Sequence, residues 1–291
     1  MSDPAKGVIA MIVACTIWGL SPLYYAQIRD VPPLEVLCYR AIWSFIFFAI
    51  ILLIQRRMRM VWNAVSQLEN LWVIALAGLL ISSNWGVFIY AIGVEKGVDA
   101  SLGYYMFPLM TAALGYLVFA ERLSLIQWVA IGLSALAVVV LSIGLQVIPF
   151  IALYLGGSFA AYGALKKRLS IGPVISVTAE VLILLPIAVL FLGAFGSQLD
   201  AGYERQAYLA LSGPITAFPL ILLSFAARRI KLSTVGVVSL LNPTLQFGCA
   251  VIVFLEPFII WHGIAFPLMW GALIIYSISQ IRQDRASRNA A

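Results

Sequence analysis

Charge is scarce in this chain. Asp, Glu, Lys and Arg make up 10% of the 291 residues, against 63% that are apolar. Soluble domains carry about 25% charged and about 45–50% apolar residues. So few charges cannot cover a water-soluble globule of this length, which excludes soluble enzymes, nucleic-acid binders, secreted disulfide scaffolds and disordered chains. Histidine is nearly missing. His262 stands alone without clustered partners, so a metal or acid–base centre built on imidazole is excluded and a structural or interfacial role is expected. The three cysteines, Cys15, Cys38 and Cys249, lie inside apolar runs with no metal or disulfide spacing, and read as small buried hydrophobes. There is no Walker motif, no HExxH and no pair of intramembrane aspartates. No cofactor and no metal is expected. No loop exceeds about 16 residues, so no soluble domain is present.

What the chain has in abundance is long apolar sequence, with a mean hydropathy of +1.02. A hydrocarbon core about 30 Å thick needs about 20 apolar helical residues to cross it. Ten candidate spans follow: residues 7–28, 34–54, 71–92, 99–120, 124–143, 148–165, 173–195, 207–227, 234–255 and 260–281. The runs are continuous and rich in Leu, Ile and Ala, without the period-two alternation of a barrel. The first run is too long for a signal peptide and has only Lys6 before it, so it is read as retained.

The basic residues sort by loop. With the N-terminus inside, the inner segments hold Lys6, Arg56, Arg57, Arg59, Arg122, Lys166, Lys167, Arg168, Arg228, Arg229, Lys231, Arg282, Arg285 and Arg288, fourteen of eighteen. The outer loops hold Arg29, Lys96 and Arg205, among the acids Asp30, Glu35, Glu95, Asp99, Asp200, Glu204 and Glu256. The positive-inside rule then places both termini in the cytoplasm and supports an even number of spans. Topology accounts for the net charge of +6 without an anionic partner such as nucleic acid.

A weak internal repeat is present. At an offset of 135, Gly78 falls on Gly213, Ser82 on Ala217, Phe88 on Leu223, Ala91 on Ala226, Pro108 on Pro243 and Glu121 on Glu256. Near the second spans the offset becomes 140: Pro33 falls on Pro173, and Arg40 on Glu180. The expected units are 1–145 (spans 1–5) and 146–291 (spans 6–10). Two successive units with an odd number of spans must lie upside down relative to one another. That is the inverted repeat of secondary transporters, which place the solute near the midplane between the units.

The motifs also resemble a known family. Trp18-Gly19-Leu20-Ser21-Pro22-Leu23-Tyr24, Val31-Pro32-Pro33-Leu34-Glu35 and Arg40-Ala41-Ile42-Trp43-Ser44 are similar to the RarD-type branch of the EamA family. So are Ser83-Asn84-Trp85, Ala100-Ser101-Leu102-Gly103-Tyr104-Tyr105 with Pro108, Glu121-Arg122, Leu232-Ser233-Thr234 and Asn242-Pro243-Thr244. Glu256 departs from the pattern, because Pro257 follows it where the first unit has Arg122. The resemblance covers about residues 5–280. It implies the drug/metabolite transporter superfamily: an all-α integral membrane protein with ten transmembrane helices in two inverted five-helix EamA repeats around a central cavity. Relatives of this kind export amino acids and other small metabolites, and the branch name carries an association with chloramphenicol.

Ionisable groups inside a span are functional candidates, at about 2.5–3.5 kcal/mol each on insertion scales. Arg40 and Glu180 qualify. Each lies seven residues past a proline, about 10 Å inside opposite faces. They read as a structural pair, as separately satisfied groups, or with Glu180 as a protonatable coupling site. Pro108 and Pro243 each remove a hydrogen bond mid-span and are read as gating positions, a plain packing kink being the alternative. The small faces of Gly78, Ser82 and Gly86, and of Gly213 and Ala217, read as close helix packing. Candidate solute contacts are Trp18, Asn84, Trp85, Tyr104, Tyr105, Tyr162, Asn242 and Gln246, polar or aromatic groups near the midplane. A buried amide needs a partner on another helix, in water or in the solute. Aromatic faces suit an ammonium group. Trp62, Trp261 and Tyr203, near span ends, read as interface anchors.

The expected function is a secondary transporter of the inner membrane. It would export small metabolites, foremost amino acids with broad specificity, by alternating access through a central cavity. Its partners are the small-molecule solute and the lipid bilayer, with no nucleic acid, and the oligomeric state is left open, a monomer included. Export of drug-like amphiphiles such as chloramphenicol is the alternative within the class. A membrane-embedded enzyme is the alternative from another class and lacks its constellation of residues.

Overall fold

The computed structural model describes residues 3–120, 122–230 and 232–289, apart from the side chains of 232, 233 and 283–289. Glu121 of the repeat, Lys231 of the charge pattern, and the side chains of Leu232, Ser233, Arg285 and Arg288 lie outside the described residues.

In hydrocarbon every backbone polar group must be satisfied within the chain, so apolar runs of this length become helices. They are α1 (Asp3–Tyr25), α2 (Pro33–Ile54), α3 (Met58–Ser66), α4 (Leu68–Gly93), α5 (Gly97–Phe119), α6 (Leu125–Leu145) and α7 (Phe150–Lys166). After them come α8 (Pro173–Phe195), α9 (Tyr203–Ala210), α10 (Ser212–Ala227), α11 (Leu232–Ser239), α12 (Leu241–Gly248) and α13 (Ile260–Asn289). Among the described residues there is no strand. Pro33 and Pro173 open α2 and α8 at the position where a missing N–H costs nothing. Ser124 and Gln127 form a reciprocal cap on α6. The last turns of α5 and α6 close on Ala120 and Gln146, both in the left-handed region with φ of 52° and 56°.

Nine spans are long and apolar enough to cross a bilayer among the described residues. The tenth is α7, whose 17 residues reach about 26 Å. The short helix α3 lies in the connection between the expected spans 34–54 and 71–92, and α9 begins before the expected span 207–227 and forms its first turn. They join spans 2–3 and 7–8 and hold equivalent places in the two halves. Their exposed Trp62 and Tyr203 stand out from the bundle. Span 9 is broken: α11 and α12 meet at Leu240, and a π turn, Cys249–Val253, follows. Pro243 offers no N–H to the Ser239 carbonyl, which is where the helix divides. Its repeat mate Pro108 leaves α5 in one piece.

The packing exchanges one half for the other. α1 lies along α10 and α12, and α7 lies along α4 and α5. α2 meets α10, and α8 meets α4; α3 packs on α8, and α9 on α2. Three pairs cross the symmetry axis: α2 with α8, α5 with α12, and α6 with α13. Ten transmembrane helices thus form two inverted five-helix repeats.

Glycines set the closest crossings. A Cβ on Gly78 would lie 3.2 Å from the Glu180 carbonyl oxygen, and one on Gly213 would overlap the backbone of Trp43. These repeat-related glycines bring α4 onto α8 and α10 onto α2. Gly103 and Gly156 do the same for α5 and α7, where a Cβ on Gly156 would stand 2.8 Å from the Gly103 carbonyl. Large apolar residues such as Leu53, Ile54, Leu79, Leu117 and Leu190 face outward toward lipid.

The end of the bundle away from the termini is tied across the halves. Glu35, buried at the start of α2, accepts from the Ser197 hydroxyl and the Gln198 N–H, both at 2.8 Å. Arg205 donates to Asp30, and Tyr24 donates to the Tyr208 carbonyl at 2.9 Å. The Arg205 bond holds the Asp30 carboxyl below the usual carboxylate range. Glu256 accepts from the N–H groups of Gly97 and Val98 at 2.8 and 2.9 Å, capping α5.

Candidate functional site

The polar side chains of the spans gather along α1, α2, α4, α5, α7 and α8. Arg40 projects from α2 and is 6% exposed. Its Nη1 donates to the Tyr25 hydroxyl at 2.8 Å, and its guanidinium carbon lies 4.2 Å from the centre of the Trp85 ring. Trp85 is half-buried on α4, one residue past Asn84.

Asn84 is the hub of the middle. Its amide nitrogen donates to the Leu155 carbonyl and the Ser158 hydroxyl, both at 2.9 Å, and its amide oxygen accepts from Tyr104 at 3.1 Å. All its bonds go to α5 and α7, so the amide is paid for by neighbouring helices.

Glu180, fully buried on α8, marks the other pole. It accepts from Lys166 at 2.5 Å, from Ser176 at 2.7 Å and from Tyr162 at 3.1 Å. Lys166 also donates to Ser176. A buried carboxylate with an ammonium and two hydroxyls around it is matched in charge and in hydrogen bonds.

Six rings connect the poles. Tyr24, Tyr25, Phe88, Tyr104, Phe159 and Tyr162 follow one another with centroids 4.9 to 6.1 Å apart. Phe107 adds a contact to Phe159 at 4.6 Å. The arrangement is an aromatic wall with a guanidinium near one end, a carboxylate–ammonium pair at the other and an amide network between them.

The two buried charges do not pair with each other. Depth along the helices allowed an Arg40–Glu180 contact, and α2 does pack on α8. Rotation decides otherwise: Arg40 turns toward α1 and α4, and Glu180 turns toward α7. Asn84, Trp85, Tyr104 and Tyr162 join this cluster with Arg40 and Glu180. Tyr105 points the other way. Its hydroxyl lies 2.7 Å from that of Thr244, and its ring packs on Phe266 and Trp270. Asn242 and Gln246 bond to each other at 3.0 Å on α12, leaving the Gln246 amide oxygen without a partner. Trp18 is half-buried on α1 beside Gly19, whose Cβ would stand 3.0 Å from the Asn242 carbonyl. Pro108 is half-buried and Pro243 buried.

Other placements bear on the site by elimination. His262 is buried, accepts weakly from the Ile259 N–H and stacks on Phe258, in a packing role. Trp261 covers Gly144, so it is a packing residue rather than an anchor free at the surface. A lateral groove of about 270 Å³ between α2 and α9–α10 is lined by apolar residues such as Trp43, Phe47 and Leu211. It offers a solute almost no polar surface. Tyr25, Ser158, Phe159, Lys166 and Ser176 belong to the cluster without having been singled out in the sequence. The Ser176–Glu180 spacing of four residues was the available signal for one of them. Lys166 looked like one more charge at a span end.

Known proteins resemble this chain in sequence and in fold. Residues 5–143 match the EamA-like transporter family. The protein RarD of Streptomyces exfoliatus is 39% identical, covering 99% of this chain and 93% of its own. The uncharacterized transporter YojE of Bacillus subtilis is 36% identical, covering 99% of each. A protein from Pseudomonas aeruginosa named chloramphenicol-sensitive protein RarD is 26% identical, covering 89% of each. A solved crystal structure superposes with a TM-score of 0.63 at 18% identity, covering 96% of this chain and 99% of that one, a likeness of fold.

Proposed function

The chain belongs to the EamA-like transporter family, in its RarD-type branch, and is a multi-span membrane transporter of the drug/metabolite class; from that premise we propose that it exports small metabolites, foremost amino acids, by alternating access. The observation that carries the proposal is the aromatic wall from Tyr24 to Tyr162, with Arg40, Asn84 and the Lys166–Glu180 pair set along it. Amide, hydroxyl and charged groups supply polar contacts at depth, and ring faces accept an ammonium group. Trp18, Asn84, Trp85, Tyr104 and Tyr162 are the proposed solute contacts. Tyr105, Asn242 and Gln246 are proposed to act from the adjoining α5–α12 and α1–α12 contacts. The units 1–145 and 146–291 are the bodies proposed to rock, with Pro108 and the broken span at Pro243 as the yielding points. Both termini are proposed to lie in the cytoplasm, with the chain in the inner membrane.

Counterflow tests the proposal. Purified protein in proteoliposomes loaded with unlabelled amino acids should accumulate labelled ones above protein-free vesicles, and mutual competition should define the range accepted. Absence of counterflow across a full amino-acid panel rejects it. Glu180 is the proposed coupling residue, because protonation would release Lys166 and break the link between α7 and α8. Flux through Glu180→Gln should then lose its dependence on pH, and an unchanged profile removes the coupling role.

A second reading is export of drug-like amphiphiles. It is favoured by the name of the Pseudomonas aeruginosa relative and by the number of ring faces along the wall. Such a pump would carry chloramphenicol in the same vesicles and ignore competing amino acids.

A further inference from the structure

Two positive charges flank the aromatic wall, Arg40 inside α2 and Lys166 in the last turn of α7, and one of the two is matched. Lys166 is neutralised by Glu180 at 2.5 Å. Arg40 has no carboxylate within salt-bridge distance among the described residues. Its Nη1 is used by the Tyr25 hydroxyl, a neutral acceptor, and its plane lies against Trp85. Nε is buried and has no partner. Nη2 has no acceptor among the described residues. An uncompensated guanidinium in a low-dielectric interior is costly, and the cost falls when an anion arrives.

The direction in which Arg40 is incomplete tells what would complete it. The Nε–Nη2 edge of a guanidinium presents two parallel donors, the fork that a carboxylate fits. Tyr25 and Trp85 fix the plane, so little side-chain freedom remains to be lost on binding. The charge account selects the same partner. One unmatched positive charge calls for one negative charge. A doubly charged phosphate would leave an excess charge in the membrane, since Lys166 is already neutralised. Trp85 lies against the guanidinium, and Phe88 and Tyr104 follow Tyr25 along the wall, ring faces that suit an apolar or aromatic body.

We propose that the Nε–Nη2 edge of Arg40 is the docking point for the carboxylate of the transported solute, so that this protein handles small monocarboxylates, zwitterionic amino acids included, and rejects their amine counterparts. The assignment rests on the transport reading above and narrows it. It makes the carboxylate obligatory and leaves the amino group optional, held by ring faces where present.

Three congeners with one aromatic body test it: phenylalanine, 3-phenylpropionate and phenethylamine. Binding is read as the shift in melting temperature of the purified, detergent-solubilised protein over a concentration series. Transport is read as competition against labelled phenylalanine in counterflow, in vesicles of phosphatidylethanolamine and phosphatidylglycerol. Both carboxylates should stabilise the protein and compete, and phenethylamine should do neither. Arg40→Gln should weaken binding of both acids by about tenfold or more, the loss expected for a charged hydrogen-bonded contact. Arg40→Lys should fall between, keeping the charge and losing the fork. Equal response to phenethylamine, or acid binding unchanged in Arg40→Gln, overturns the assignment. If Arg40→Gln does not fold, the congener comparison in the unaltered protein decides. Carboxylate binding without counterflow would overturn the transport reading and keep the Arg40 site. Counterflow indifferent to the carboxylate would do the reverse. No response to any of the three, nor to leucine, 4-methylpentanoate and isopentylamine, overturns the site.

Discussion

Lys166, in the last turn of α7, stands 2.5 Å from the carboxylate of Glu180, two turns inside α8. The pair fastens spans 6 and 7 at the end of the bundle nearer the termini. The Glu180 side chain is 1% exposed and that of Lys166 18%.

Removing one member should therefore cost more than removing both. Lys166→Met leaves a bare carboxylate in the interior, and Glu180→Gln a bare ammonium. Each is expected to destabilise by about 3–5 kcal/mol, and the double variant to recover most of the loss. Thermal unfolding in detergent checks this. A double variant no more stable than either single one contradicts it.

Adjacent glycines on α7 should respond oppositely to the same substitution. A Cβ on Gly156 would press on the Gly103 carbonyl at 2.8 Å, while one on Gly157 meets nothing within 4 Å. Gly156→Ala is expected to destabilise by about 1–3 kcal/mol through overpacking. Gly157→Ala should be neutral, or slightly stabilising by reducing backbone freedom. Equal melting temperatures for the two variants would argue against backbone contact at this crossing.

Each bond of the Asn84 network should be worth what an interhelical hydrogen bond is worth in membranes, on average about 0.6 and up to about 1.7 kcal/mol. Asn84→Ala removes all three and should lower stability by about 2 kcal/mol. Tyr104→Phe should cost less, because it removes one bond of three. A double-mutant cycle gives the coupling between them, and a value of zero would separate Tyr104 from the hub.

Acidification should loosen the end away from the termini. The hydrogen bond from Arg205 lowers the Asp30 pKa. A carboxyl held below its unfolded value contributes stability above the unfolded pKa and loses it as pH falls through the folded one. The melting temperature should thus decline on the acid side, and Asp30→Asn should flatten part of that decline. The pair is exposed, so the effect is small and shrinks with added salt. An acid limb identical in the variant and the unaltered protein would exclude Asp30 as a contributor.

The span limits were legible because prolines and apolar length announce them. Pro33 and Pro173 open their helices as read. Helix α3 was not, since nine amphipathic residues between apolar runs resemble a connection, and the break between α9 and α10 was not, since residues 207–211 continue the apolar run of the eighth span. Within the site, sequence gave depth and withheld rotation. Tyr104 and Tyr105 are neighbours at one depth, yet one bonds Asn84 and the other Thr244. Arg40 and Glu180 were both recognised as buried ionisable groups, but their partners depend on which way each helix faces. Lys166 was hidden by its position at a span end, where a long side chain can reach either out to water or back into the bundle.

The touching backbones at Gly103 and Gly156 have a mechanical consequence. With no side chain between them, the two helices can neither be squeezed together nor cushioned, so relative motion there is a pivot. From Gly103 to Phe119 the lever arm is about 24 Å. A tilt of about 10° at the fulcrum sweeps the far tip of α5 through about 4 Å, roughly a side chain's width, without stretching a hydrogen bond in either helix.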